Sequence, residues 1–194
     1  AMPDFEWNGG HSGRELPSQY VETLDRMWDE YLERVGDIFD GDRADRNYRL
    51  EESLDEAVQI IADAFCGQTD LDGSPVVLHS LAVGMAGKNV KERICGFLHD
   101  IIEDTEWNAG ELRERGFSEQ TVDTVLLLTH TDRSPYMDYI RRICESGDET
   151  ALAVKINDLH HNLMRGKAGG HMELVAKHTE ALAYIEEFIR SKQK

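Results

Sequence analysis

Long apolar runs are missing from this chain. No stretch approaches the roughly 20 residues that a membrane-crossing helix needs, so no membrane partner is expected. Cysteine is scarce too. Cys66, Cys95 and Cys144 are an odd number without metal-type spacing. That excludes a disulfide framework and points to reduced, mostly buried thiols and a cytoplasmic setting. The N-terminal stretch lacks the basic and apolar regions of a secretory signal; Ala1, ahead of Met2, is set aside. Basic residues are outnumbered, with 21 Lys and Arg against 38 Asp and Glu and a formal charge of −17. Such a surface repels a nucleic-acid backbone, so nucleic acid is not an expected partner. The same charge obstructs a small phosphorylated substrate unless a cation bridges the two.

What is present is helical periodicity. The 194 residues suffice for one compact domain with a real core. Residues 1–16 show no period and read as a loose arm. Val21, Leu24, Met27, Trp28, Tyr31, Leu32, Val35 and Phe39 repeat at three and four, behind an N-cap at Ser18. A polar linker from Asp40 to Asn47 separates this helix from the rest. The division expected is therefore 1–47, an arm and extra helix, and 48–194, the main domain. The amphipathic extra helix should pack on the bundle or build a homodimer contact.

Further helices are expected at Leu50–Cys66, Val76–Ala86, Val90–Glu103, Glu111–Arg115, Ser118–Thr129, Tyr136–Ser146, Glu149–Arg165 and Met172–Ser191. Gly67, Asp70, Asp72, Gly73 and Pro75 form a turn between the first two. No credible run of strands occurs. The class is all-α, a compact helical bundle.

The helix over 90–103 carries the clearest signal. Ile94, Phe97, Leu98, Ile101 and Ile102 make one apolar stripe. His99, Asp100, Glu103 and Asp104 fall on the other side, with Gly96 one turn earlier where a side chain would block a neighbouring helix. Acids in a last helical turn oppose the helix dipole, and a bound cation would reverse that penalty. Adjacent imidazole and carboxylate groups suit a divalent ion. On the helix over 149–165, Leu152, Ile156, Leu159 and Leu163 are the expected core, while Lys155, Asp158 and Asn162 share another stripe with His161 beside them. His130, His171 and His178 read as structural, and of His160 and His161 at most one points inward. Arg141 and Arg142 are candidates for phosphate contacts, against the plainer reading of a solvated face.

Three segments together carry a resemblance: Gly67-Gln-Thr-Asp-Leu-Asp-Gly-Ser-Pro75 followed by His79; Phe97-Leu-His-Asp-Ile-Ile-Glu-Asp-Thr105; and Val154-Lys-Ile-Asn-Asp-Leu-His-His-Asn162. Their order resembles the HD-type hydrolase domain of the RelA/SpoT family and the small alarmone hydrolases, over about residues 50–190. Those enzymes remove pyrophosphate from (p)ppGpp. The resemblance implies an HD-type helical bundle and a metal-dependent phosphohydrolase acting on a nucleotide (pyro)phosphate. It implies one divalent ion held by His79, His99, Asp100 and Asp158, with Mn²⁺ first and Fe²⁺, Co²⁺ or Mg²⁺ as alternatives. Glu103 and Asp104 match the acidic pair that works on the attacking water. Asn162 and Lys155 match residues of the nucleotide pocket and of the last ligand's helix.

Two departures accompany it. Phe65 and Cys66 stand where the family has a His before the Gly-Gln turn. The turn itself reads Thr69-Asp-Leu-Asp72, without the basic residues that hold substrate there. This favours a poor fit for (p)ppGpp, or another nucleotide or small phosphate ester as substrate. A degenerate metal- or nucleotide-binding module is the rival from another class. Retention of both Glu103 and Asp104 speaks against it.

Overall fold

The computed structural model describes residues 54–130 and 134–192. The expected arm, the helix over 21–39 and its dimer face lie outside the described residues. All described residues belong to the second of two units, which spans residues 51–194. Among them the chain is all-helical: α1 (Leu54–Ala64), α2 (Val77–Met85), α3 (Val90–Leu98), α4 (Ile101–Asp104), α5 (Ala109–Glu114), α6 (Glu119–Leu128), α7 (Tyr136–Glu145), α8 (Glu149–Gly169) and α9 (Met172–Lys192). No helix there is long and apolar enough to cross a membrane.

Local chemistry sets several of these boundaries. The Asn89 side chain caps α3 by accepting the Glu92 N–H at 2.9 Å, and Glu92 reaches back to the Lys88 N–H at 2.8 Å. Ser118 caps α6 through the Thr121 N–H, as its position in sequence suggests. Asp148 caps α8, and its second oxygen accepts the Thr124 hydroxyl at 2.6 Å. The eighth helix runs one turn past the expected end at Arg165. Gly170, at φ +73°, supplies the left-handed residue that stops it.

Helix α3 is the centre of the bundle. Ile94, Cys95, Gly96, Phe97 and Leu98 are all buried. Ile94, Phe97 and Leu98 join a cluster with Ile60, Phe65 and Leu112. Cys95 faces a second cluster with Ile140, Val154 and Ile185. The second half of α3 is thus covered on both sides, and each Ile, Phe or Leu there contributes roughly 1.5–3 kcal/mol by leaving water. Cys95 and Cys144 are buried as expected, whereas Cys66 is exposed; all three are free.

The close approach of α2 to α3 depends on two glycines. A Cβ on Gly96 would sit 2.8 Å from the Gly84 Cα, and one on Gly84 would enter the Phe97 ring. The sequence expectation that Gly96 faces another helix is met, and that helix is α2.

Candidate functional site

The expected helix over 90–103 is broken. α3 ends at Leu98, Asp100 takes φ −99° and ψ 0°, and α4 begins at Ile101. The His-Asp doublet occupies the bend. Glu103 and Asp104 therefore do not load the last turn of a long helix, and the dipole argument for a cation does not apply. What the bend does is turn His99 and Asp100 toward the same point.

That point lies where α2, the α3–α4 bend and α8 meet. His79 Nε2 and His99 Nε2 are 3.2 Å apart. Asp100 Oδ2 is 3.5 Å from the first and 3.0 Å from the second. One donor atom from each of the three lies within 4.8 Å of the others. Asp158 Oδ1 approaches from α8, 3.2 Å from His79 Nε2 and 3.7 Å from His99 Nε2. His79, His99 and Asp158 are buried.

The ring nitrogens facing away from this point are also engaged. His99 Nδ1 lies 2.8 Å from the Gly96 carbonyl, which accepts its proton. His79 Nδ1 lies 2.7 Å from His161 Nδ1. Burial and the neighbouring His79 hold the His161 pKa below the ordinary value, and the tautomer sets which of the two rings donates. Both imidazoles thus present Nε2 to the centre. Fixing the far nitrogen in this way orients a metal-ligating histidine. Of the His160–His161 pair, His161 is the inward one, beside the stripe of Lys155, Asp158 and Asn162 where the sequence puts it.

The charges balance around the same point. Burial alone would lower the His99 pKa, but the Asp100 charge and the carboxylate hydrogen bonds outweigh it and push the ring up to about 10. Against the cost of burial, the His99 charge and the histidine hydrogen bonds hold the Asp100 carboxyl well below the usual range. Asp158 is likewise lowered, chiefly by Lys155. The cluster holds protons where a divalent cation would hold the same ligands, and the donor set of two imidazoles and two carboxylates fits a borderline divalent ion.

Lys155 and Asp158 correct one expectation. They are not a polar stripe apart from the core. Ala151, Val154, Lys155, Asp158 and Leu159 are all on the buried side of α8, while Leu152 and Ile156 are only half-buried. Lys155 Nζ donates to Asp158 Oδ2 at 2.7 Å and lies 4.9 Å from the centre of the Tyr139 ring. Asn162 Nδ2 donates to Asp158 Oδ1 at 2.6 Å.

A cavity of about 590 Å³ opens over the cluster, a size usual for small-ligand sites. Glu103 and Asp104 line it and are themselves exposed. Desolvation by the surrounding protein raises both carboxyl pKa values, and the nearby Asp100 charge adds to this. Glu103 Oε2 is held by the His130 amide at 2.7 Å. All of His79, Asp100, Glu103, Asp104, Asp158 and Lys155 border the cavity, as does Asn162.

Arg141 and Arg142 are not at the cavity and take the plainer reading, a solvated face. Arg141 pairs with Asp138 on the outer face of α7, and Arg142 donates to the carbonyls of Leu127 and Thr129. An alternation of buried and exposed positions turns Tyr139 and Ile140 inward and leaves both arginines on solvent. His130 and His178, read as structural, both line the cavity, and so do Tyr136, Lys177 and Arg165. Their elements are far apart in sequence, and no spacing marked them. Asp70 and Asp72 are not unpaired acids. Arg165 donates to Asp70 and lies 3.4 Å from Asp72 Oδ2, while His171 Nε2 lies 3.2 Å from Asp72 Oδ1.

No protein-family model matches the chain, and no curated protein sequence does. Among solved structures, a metazoan ortholog of SpoT that hydrolyses ppGpp and plays a role in starvation responses is similar in fold. The TM-score is 0.54 at 17% identity, covering 73% of this chain and 97% of that one. At such identity the likeness defines a shared helical architecture. The chain is an all-α protein of the same fold as that helical hydrolase domain.

Proposed function

We propose that this chain is a divalent-metal-dependent phosphohydrolase, with Mn²⁺ the first choice of ion and a phosphorylated nucleotide as substrate. The observation that carries this reading is the convergence of His79, His99, Asp100 and Asp158 beneath a cavity that also presents Glu103 and Asp104. A binding module needs the ligands alone. Two further carboxylates with raised pKa values lining the cavity are groups suited to moving a proton.

His79, His99, Asp100 and Asp158 would hold the ion. When bound, it supplies Lewis acidity toward a phosphoryl oxygen and positive charge in a strongly acidic protein. Glu103 is assigned the general base: its Oε2 is fixed by the His130 amide, and its raised pKa brings it nearer to neutrality. Asp104 orients the attacking water from the next position. Lys155 holds Asp158 in place and keeps its charge balanced. Asn162 ties Asp158 to the pocket wall.

The resemblance and the SpoT ortholog favour (p)ppGpp as the first substrate to try. A second reading, a less highly charged nucleotide or phosphate ester, is favoured by Arg165, which reaches the turn over 67–75, being already bound to Asp70. The test is a hydrolysis screen of the full chain with Mn²⁺ over (p)ppGpp, its adenosine analogue, nucleoside monophosphates and a generic phosphoester. Phosphate or pyrophosphate release that Asp100→Ala abolishes is the expected result. No release from any substrate with any of Mn²⁺, Fe²⁺, Co²⁺ or Mg²⁺ would overturn the reading.

A further inference from the structure

The cavity has two ends of unlike charge. At one end, Lys155 and Lys177 both lie over the Tyr136 ring, their Nζ atoms 5.7 and 3.9 Å from its centre. Lys155 is also bound to Asp158 there. At the other end, the turn over 67–75 meets α8. The turn is a rigid wall: Thr69 and Pro75 bridge, Asp70 N–H donates to the Ser74 carbonyl at 3.0 Å, and Asp72 N–H donates to Asp70 Oδ1 at 2.9 Å.

Arg165 is the guanidinium at that end. It follows Asp158 by seven positions on α8, roughly 10 Å along the helix axis. Its charge is committed to Asp70, with Asp72 alongside and His171 on the far oxygen of Asp72. The Asp70 side chain is only 17% exposed. Taking Arg165 away would leave that carboxylate uncompensated in a poorly solvated place, so the pair resists exchange. Gln68 and Thr69, both in the turn, line the cavity and offer neutral donors and acceptors. Among the described residues, Lys177 is the cavity-lining Lys or Arg with no carboxylate ion pair, and it lies at the Tyr136 end.

We propose that the Asp70–Arg165 pair makes the turn end of the cavity a seat for the uncharged part of a substrate. The chain then selects a nucleoside that carries phosphate only at the metal end over one with a second phosphate at the turn end. A second phosphate there meets Asp70 directly and finds the guanidinium already bound. The inference rests on the phosphohydrolase reading only for which end reacts.

The test compares adenosine 5′-monophosphate with adenosine 3′,5′-bisphosphate. Both are titrated calorimetrically into the full chain in Mn²⁺, carrying Glu103→Gln so that turnover does not consume them. Adding Asp70→Asn keeps the shape, removes one negative charge and frees Arg165. It should tighten the bisphosphate about tenfold or more relative to the monophosphate, the worth of one charge-assisted hydrogen bond. An unchanged ratio in Asp70→Asn overturns the proposal, whatever its melting temperature. So does a bisphosphate bound as tightly as the monophosphate or more tightly with Asp70 and Arg165 both intact, which reads out even if Asp70→Asn does not fold. A chain with the expected ratio that releases phosphate from no substrate of the hydrolysis screen in its Glu103 form would sink the phosphohydrolase reading and leave this one standing.

Discussion

His79 Nε2, on α2, and His99 Nε2, at the bend between α3 and α4, lie 3.2 Å apart. Two glycines make this contact. Gly84 and Gly96 let the backbones of α2 and α3 meet with no side chain between them. A methyl group on Gly96 would press on backbone, which cannot yield as a flexible side chain can. Gly96→Ala is therefore expected to destabilise the fold by about 1–3 kcal/mol, as overpacking in a tight core does. It should also weaken Mn²⁺ binding by spreading the two imidazoles. Urea unfolding and metal titration of the variant measure both; an unchanged metal affinity at reduced stability would separate packing from the site.

The metal-free cluster should respond to pH in a definite direction. His99 has a folded pKa of about 10, above the ordinary 6.5. A raised folded pKa contributes stability that is fully present below 6.5 and is lost as pH rises through about 10. With chelator present, the melting temperature should fall between pH 7 and pH 10. With Mn²⁺ bound, the ion replaces the proton and the fall should be smaller. Binding should release protons and tighten as pH rises, which calorimetry in buffers of different ionisation enthalpy reads directly.

Glu103 predicts the acid limb of catalysis. Desolvation raises its carboxyl above the ordinary 4.5, and a general base works only when deprotonated. At saturating Mn²⁺, kcat/KM for the best substrate should therefore rise with pH through a value above 4.5. Glu103→Gln should lower the rate by about 10²–10⁴-fold and remove that limb. Wild-type activity in the Gln variant would transfer the role to Asp104.

Lys155 is a buried cation whose acceptor is Asp158 at 2.7 Å. Removing one partner of a buried pair strands the other, at a cost of about 3–5 kcal/mol. Lys155→Met should destabilise the metal-free chain by that order. Saturating Mn²⁺ should restore part of the loss, because the ion takes over the charge of Asp158. Thermal melts of both forms in chelator and in Mn²⁺ decide; equal losses in both conditions would mean that Asp158 is not a ligand.

Much of this was legible along the chain. The apolar period of three and four marked the helices because each helix has one face to bury. The stripe of Ile94, Phe97, Leu98 and Ile101 is buried, and Gly96 does face a neighbour. His79, His99, Asp100 and Asp158 could be singled out because the motifs around them are local in sequence. The break at His99–Asp100 could not. The apolar period runs on through Ile101 and Ile102 and carries no sign of the break at Asp100.

Charge pairing was equally invisible. Asp70 and Arg165 are 95 residues apart, and an acidic turn by itself reads as hostile to phosphate. Arg141 and Arg142 look as basic as Arg165, yet α7 turns them to solvent. Sequence alone determined the helical class, the donor types and their order, because period and motif chemistry are properties of neighbouring residues. Tertiary structure decided which cations face the cavity, which acids are neutralised and which histidine orients another, because those depend on contacts between helices that no local pattern encodes.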